Sequence, residues 1–63
     1  MNEYIVSLSF DKSNENAQIA SGMADSIESF VDNAFIHEDK EVLFYGDEAI
    51  VKYPRKTYFV FRI

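Results

Sequence analysis

Three observations predict an α+β domain. Between Ser13 and Phe35 the apolar residues keep to one side at helical spacing. Four other runs, Glu3 to Phe10, Glu41 to Tyr45, Glu48 to Tyr53 and Thr57 to Ile63, have strand character. The chain has 63 residues, which suffices for one small core because a chain of this size buries only about 60% of its unfolded surface. The expected order is β-α-β-β-β over a single domain, residues 1–63, with one amphipathic helix on one face of a mostly antiparallel four-stranded sheet.

The first strand alternates, with Tyr4, Val6, Leu8 and Phe10 on one side and Ile5, Ser7 and Ser9 on the other. Asp11 to Asn14 is a polar break, in which Ser13 is placed to cap the helix and Glu15 suits the positive end of its dipole. Within the helical stretch Ala17, Ile19, Ala20, Met23, Ala24, Ile27, Phe30, Val31, Ala34 and Phe35 fall in an arc of roughly 160°. Gly22 lies on the polar side, as a tolerated residue costing about 1 kcal/mol relative to Ala. Ile36 breaks the pattern, so the helix ends near Phe35 and His37 to Lys40 is a loop.

Gly46-Asp47 between two β-rich runs fits a two-residue hairpin turn. It opposes Tyr45 to Glu48, Phe44 to Ala49, Leu43 to Ile50, Val42 to Val51, and Glu41 to Lys52 as a cross-strand ion pair. After Pro54-Arg55-Lys56 the last strand sets Thr57, Phe59, Phe61 and Ile63 against Tyr58, Val60 and Arg62. Strands two to four form a meander, and the first strand is expected beside the last, in either direction. Facing the helix are then Tyr4, Val6, Leu8, Phe10, Val42, Phe44, Ala49, Val51, Phe59 and Phe61. The far face carries Leu43, Tyr45, Ile50, Tyr58 and Val60 as a contiguous apolar patch, a surface for a homodimer or another protein. A one-residue slip would bury some of these instead.

Composition narrows the functional classes. There is no Cys, so neither disulfides nor thiolate metal sites support the fold. No run approaches the roughly 18 apolar residues of a membrane span, and Met1-Asn2-Glu3-Tyr4 lacks a basic leader, so a cytoplasmic protein without membrane contact is expected. Eleven acids against six bases give a net charge of −5, which disfavours bare nucleic acid and points to a basic protein partner.

Catalysis has little to stand on. His37 with Glu38, Asp39 and Glu41 lacks both metal-ligand spacing and a second His, and no nucleophile elbow is present. No cofactor or metal is expected. Tyr45, Tyr58, Lys52, Arg55, Lys56 and Arg62 could stack and hold single-stranded nucleic acid, but the net charge has the wrong sign.

Charge is uneven: from Ser13 to Asp39 there are six acids and no Lys or Arg. Asp25, Glu28 and Asp32 neighbour one another at i, i+3 and i+4 spacing on the outer helix face, with Glu38 and Asp39 just beyond. Like charges this close repel by a few tenths of a kcal/mol per pair. The functional expectation is a row of carboxylates standing in for phosphates in an Arg/Lys-lined site. In size and composition the chain resembles the small inhibitors that phages and mobile elements make against host proteins, anti-CRISPR proteins among them. That resemblance implies a bacterial host cell and inhibition of a nucleic-acid-binding host protein.

Overall fold

The structure is a computed structural model and describes residues 1–63. Five strands form one sheet: β1 (Asn2–Ser7), β2 (Gln18–Ala24), β3 (Glu41–Tyr45), β4 (Glu48–Lys52) and β5 (Thr57–Arg62). One α-helix, α1 (Ile27–Ala34), separates β2 from β3, and a 3₁₀ turn covers Glu15–Ala17. The sheet order is β2-β1-β5-β4-β3 with every neighbouring pair antiparallel. No helix is long and apolar enough to cross a membrane.

The α+β class holds, but the long helix expected from Ser13 to Phe35 is a 3₁₀ turn, a strand and a short helix, and the sheet has five strands, not four. Gln18–Ala24 is extended and pairs with β1, placing Ala20, Gly22 and Ala24 opposite Val6, Tyr4 and Asn2. Alternation of small residues decides this. The three share the face under α1, and Gly22 sits so close beneath the Phe30 ring that an added Cβ would lie 3.1 Å from Phe30 Cε1. Gly22 is therefore a seat for an aromatic ring rather than a tolerated residue on a helix surface.

The helix starts where its own cap allows. Ser26 is extended (φ −150°, ψ 163°), and its Oγ accepts the Ser29 N–H at 3.1 Å, satisfying one of the free donors of the first turn. Ser13, expected in that role, lies in the β1–β2 connection, where its N–H and hydroxyl both donate to Asp11 Oδ1, at 3.0 and 2.7 Å. The hydroxyl bond, followed by the backbone one, holds the Asp11 carboxyl below its ordinary value. Helix α1 ends at Ala34, and Phe35 donates its N–H to Val31 O at 2.9 Å.

The β3–β4 hairpin has the expected register at all five pairs. Gly46 has φ +59° while Asp47 is not left-handed, which is the signature of a type II′ turn with Gly first. The expected Glu41–Lys52 ion pair does not form although the two are opposed; the chain's salt bridge joins Arg62 Nη1 to Asp47 Oδ2 at 3.0 Å, across exposed side chains. In such a setting a pair is worth about 0–1 kcal/mol. Strand β1 does lie beside β5.

The phase of β5 is reversed from expectation. Val60 pairs with both Val6 and Ala49, which face the helix, so Val60 and Tyr58 turn inward and Phe59 and Phe61 face away. A single-residue shift moves every side chain across the sheet. One core therefore gathers Tyr4, Val6, Ala24, Ile27, Phe30, Val31, Phe35, Ala49, Val51 and Val60 between sheet and helix. The far face has cover of its own. Leu8 and Phe10, expected in β1 under the helix, lie beyond its end at Ser7, and both are exposed. Phe10 meets Phe59 edge-on, centroids 5.6 Å apart, and Lys12 Nζ donates to Arg62 O. The returning chain thus crosses β5, and Ile5 and Phe61 on that face are buried.

Two substitutions test this packing. Gly22→Val is expected to push Phe30 off its seat and cost about 1–3 kcal/mol, read as a fall in melting temperature of roughly 4–8 °C per kcal/mol. Ser26→Ala is expected to cost about 1 kcal/mol through loss of the cap. A melting temperature unchanged in both variants would contradict the placement of β2 beneath α1.

Candidate partner-binding surfaces

The orientation of α1 follows from its buried side chains. Ile27, Phe30 and Val31 point into the core, and Phe30 packs on Tyr4 with ring centroids 5.2 Å apart. Counting about 100° per residue from Ile27, Phe30 lies on the flank toward β2, where it meets Gly22, and Val31 on the opposite flank, toward β4. Glu28 and Asp32 then project outward on the β4 side, while Ser29 and Asn33 face outward and toward β2.

The five expected acidic residues are all exposed, but they fall into two groups. Asp25 stands just before the Ser26 cap, and Glu28 and Asp32 follow one helical turn apart, at Cβ spacing of about 5–6 Å. No base lies within 4.0 Å of any of the three carboxylates. Glu38 and Asp39 instead share a shallow recess with Lys40, Glu41, Lys52, Tyr53 and Pro54. Lys40 is tied there by its ammonium, which donates to His37 O at 2.7 Å, so this second group sits among cations.

The expected far-face patch divides as well. Leu43, Tyr45 and Ile50 do lie on the face away from the helix, the first two exposed. Tyr58 and Val60 do not, because of the reversed phase of β5. Phe59 and Phe61 replace them, and with Phe10, Tyr45 and Ile50 they line an open recess of about 390 Å³. Sequence reasoning missed Phe59 and Phe61 because the last strand is apolar on both sides, and only its pairing with β1 fixes which side faces the helix; it missed Phe10 because β1 ends at Ser7.

A third feature had no signal in a reading that made residues 13–35 one helix. Where α1 ends, a groove of about 440 Å³ opens between helix and sheet, lined by Ile19, Ala20, Ala34, Phe35, Tyr53 and Tyr58 among others. Phe35, Tyr53 and Tyr58 form an aromatic cluster with centroids 5.4–6.3 Å apart. Removal from water, and then the neighbouring Tyr58, push the Tyr53 phenol above its ordinary value of 10.0. His37 stands at the rim. No group of three or more His, Cys, Asp or Glu side chains is placed to hold a metal ion.

Comparison with protein-family models, with curated proteins and with solved structures finds no match.

The Tyr53 environment has a measurable consequence. A phenol whose folded value is raised contributes stability in full below pH 10 and loses it as the pH climbs through the higher folded value. An alkaline titration followed by tyrosinate absorbance is expected to show a late-ionising phenol that disappears in Tyr53→Phe. Four phenols titrating together at the ordinary value would contradict it.

Proposed function

We propose that this chain is a non-catalytic inhibitor that binds a basic, nucleic-acid-binding protein through the helix side of the domain, with Asp25, Glu28 and Asp32 at the centre of the contact. The observation that carries this is the set of three exposed carboxylates in and just before α1, none of them neutralised by a base, within a stretch from Ser13 to Asp39 that contains no Lys or Arg. The helix dipole suits Asp25 and Glu28 beside the first turn, but Asp32, in the last half of α1, gains nothing from it and is repelled by Glu28. Arginine forks that hold phosphate also hold carboxylates, so occupation of such a site excludes the nucleic acid directly. Net charge of the same sign would speed the encounter and make it salt-dependent.

Helix α1 rises about 12 Å over its eight residues, with Glu28 and Asp32 on it and Asp25 two residues before it. These carboxylates are sparser than the phosphates of a duplex, one per about 1.7 Å of axis. Glu38 and Asp39, set among Lys40 and Lys52, are peripheral to this contact.

The test is affinity capture from a bacterial lysate at low and high salt, with Asp25→Lys/Asp32→Lys alongside. The second change lies in the last half of α1, where a cation suits the helix dipole, so the fold is expected to survive. Wild type is expected to retain a nucleic-acid-binding protein that high salt releases and that added nucleic acid displaces. The double variant is expected to retain at least tenfold less. Equal retention by both proteins would remove the acidic contact.

A further inference from the structure

The two outer strands of the sheet are protected unequally. Strand β3 starts on Glu41, whereas the seven residues of β2, Gln18–Ala24, include neither a charge nor a proline. Natural edge strands are usually blunted by such residues, because free N–H and C=O groups along an edge recruit another strand. The bulge in the β1–β2 pairing falls at the start of β2, beside Ile19, and leaves Ala20 to Ala24 in regular register. Ladder alternation shows where the backbone points. Ile63 N–H donates to Glu3 O and Leu8 N–H to Ala17 O, so odd residues of β1 bond toward β5 and even ones toward β2. Opposite those even residues lie Ala20, Gly22 and Ala24. Ser21 and Met23 therefore direct their N–H and C=O groups away from the sheet, and the Met23 side chain is 56% exposed.

We infer that β2 is a self-recognition edge, on which a second copy of this chain adds its own β2 antiparallel about a two-fold axis at Ser21, joining two sheets into one. Ser21 then opposes Ser21, Gly22 opposes Ala20, and Met23 opposes Ile19, with no charge in any pair. Electrostatics favours this occupant over others. Two copies of a chain with net charge −5 repel across most of their surfaces, but above β2 the helix presents Ser29 and Asn33 while Glu28 and Asp32 lean toward β4. A basic partner would find no carboxylate within the strand to pair with, Glu15 and Asp25 lying beyond its two ends. Each copy has one β2, so the assembly closes at two. The contact is one strand about 24 Å long, which sets a weak, concentration-dependent dimer.

Sedimentation and light scattering from micromolar to millimolar concentration test the inference. Wild type is expected to pass from monomer to dimer, and amide exchange at Ser21 and Met23 to slow as it does. Met23→Lys puts a charge on the edge, and Ser21→Pro removes an N–H that makes no bond to β1. Each is expected to weaken the dimer at least tenfold, and melting in dilute solution reports whether each variant keeps its fold. A wild type that stays monomeric throughout overturns the inference, and so does a dimer that survives Met23→Lys but is lost in Tyr45→Glu on the far face.

Discussion

The seating of the Phe30 ring on Gly22 is the contact on which the rest of this domain depends. An isolated helix of eight residues is unstable in water, so α1 exists because its buried side chains have a surface to meet. That surface is β2, and a close approach is possible because Ala20, Gly22 and Ala24 present almost no side-chain bulk. Tyr4 closes the other side of the Phe30 ring from the neighbouring strand. The small residues that let the helix settle also leave β2 without long or charged side chains. The bare outer edge and the tight helix seat thus have one cause.

How much could be read from the sequence follows from where its patterns are degenerate. Gly46-Asp47 is unambiguous, because a positive φ between two β-rich runs has few other uses, and the β3–β4 register came with it. The segment before α1 is degenerate. Ala20, Ala24, Ile27 and Val31 satisfy a helical period, while Ala20, Gly22 and Ala24 satisfy a strand period, and small residues give neither pattern much weight. A continuous helix then looked natural. What breaks it is Ser26, a capping residue ahead of Ile27 whose effect was masked by the apolar positions on both sides. In β5 every residue from Tyr58 to Phe61 is apolar, so the strand has no wet side, and its phase depends on β1, a partner more than fifty residues away in sequence.

The candidate surfaces were legible to the same uneven degree. Charge along the chain is visible without a structure, and Asp25, Glu28 and Asp32 are exposed with no base beside them, but Asp25 stands before the cap of α1 and not on its outer face. Glu38 and Asp39 are separated from them by the course of the chain after Phe35, which brings in Lys40 and Lys52. No local pattern encodes that. The far-face patch kept Leu43, Tyr45 and Ile50, which the hairpin fixes, and exchanged Tyr58 and Val60 for Phe59 and Phe61, which long-range pairing fixes. Local signals identified the members set by local structure, and the others required the sheet.

Glu28 and Asp32 lie on the side of α1 away from the bare edge, whereas Asp25 directly follows β2 at one end of it, and this arrangement bears on how the two surfaces work together. Were the two surfaces to coincide, pairing of copies would bring like charges together and bury the carboxylates. Because Glu28 and Asp32 lean toward β4, joining two copies at β2 would carry these two carboxylates of each copy to the outside of the pair and leave Asp25 at the ends of the joined strands. In the proposed assembly two charged contacts held in one particle would act at a raised effective concentration, so the pair would hold an extended basic site better than either copy alone. A domain this small has little area for a large interface, and duplicating a modest one by symmetry is a physically economical route to tight binding.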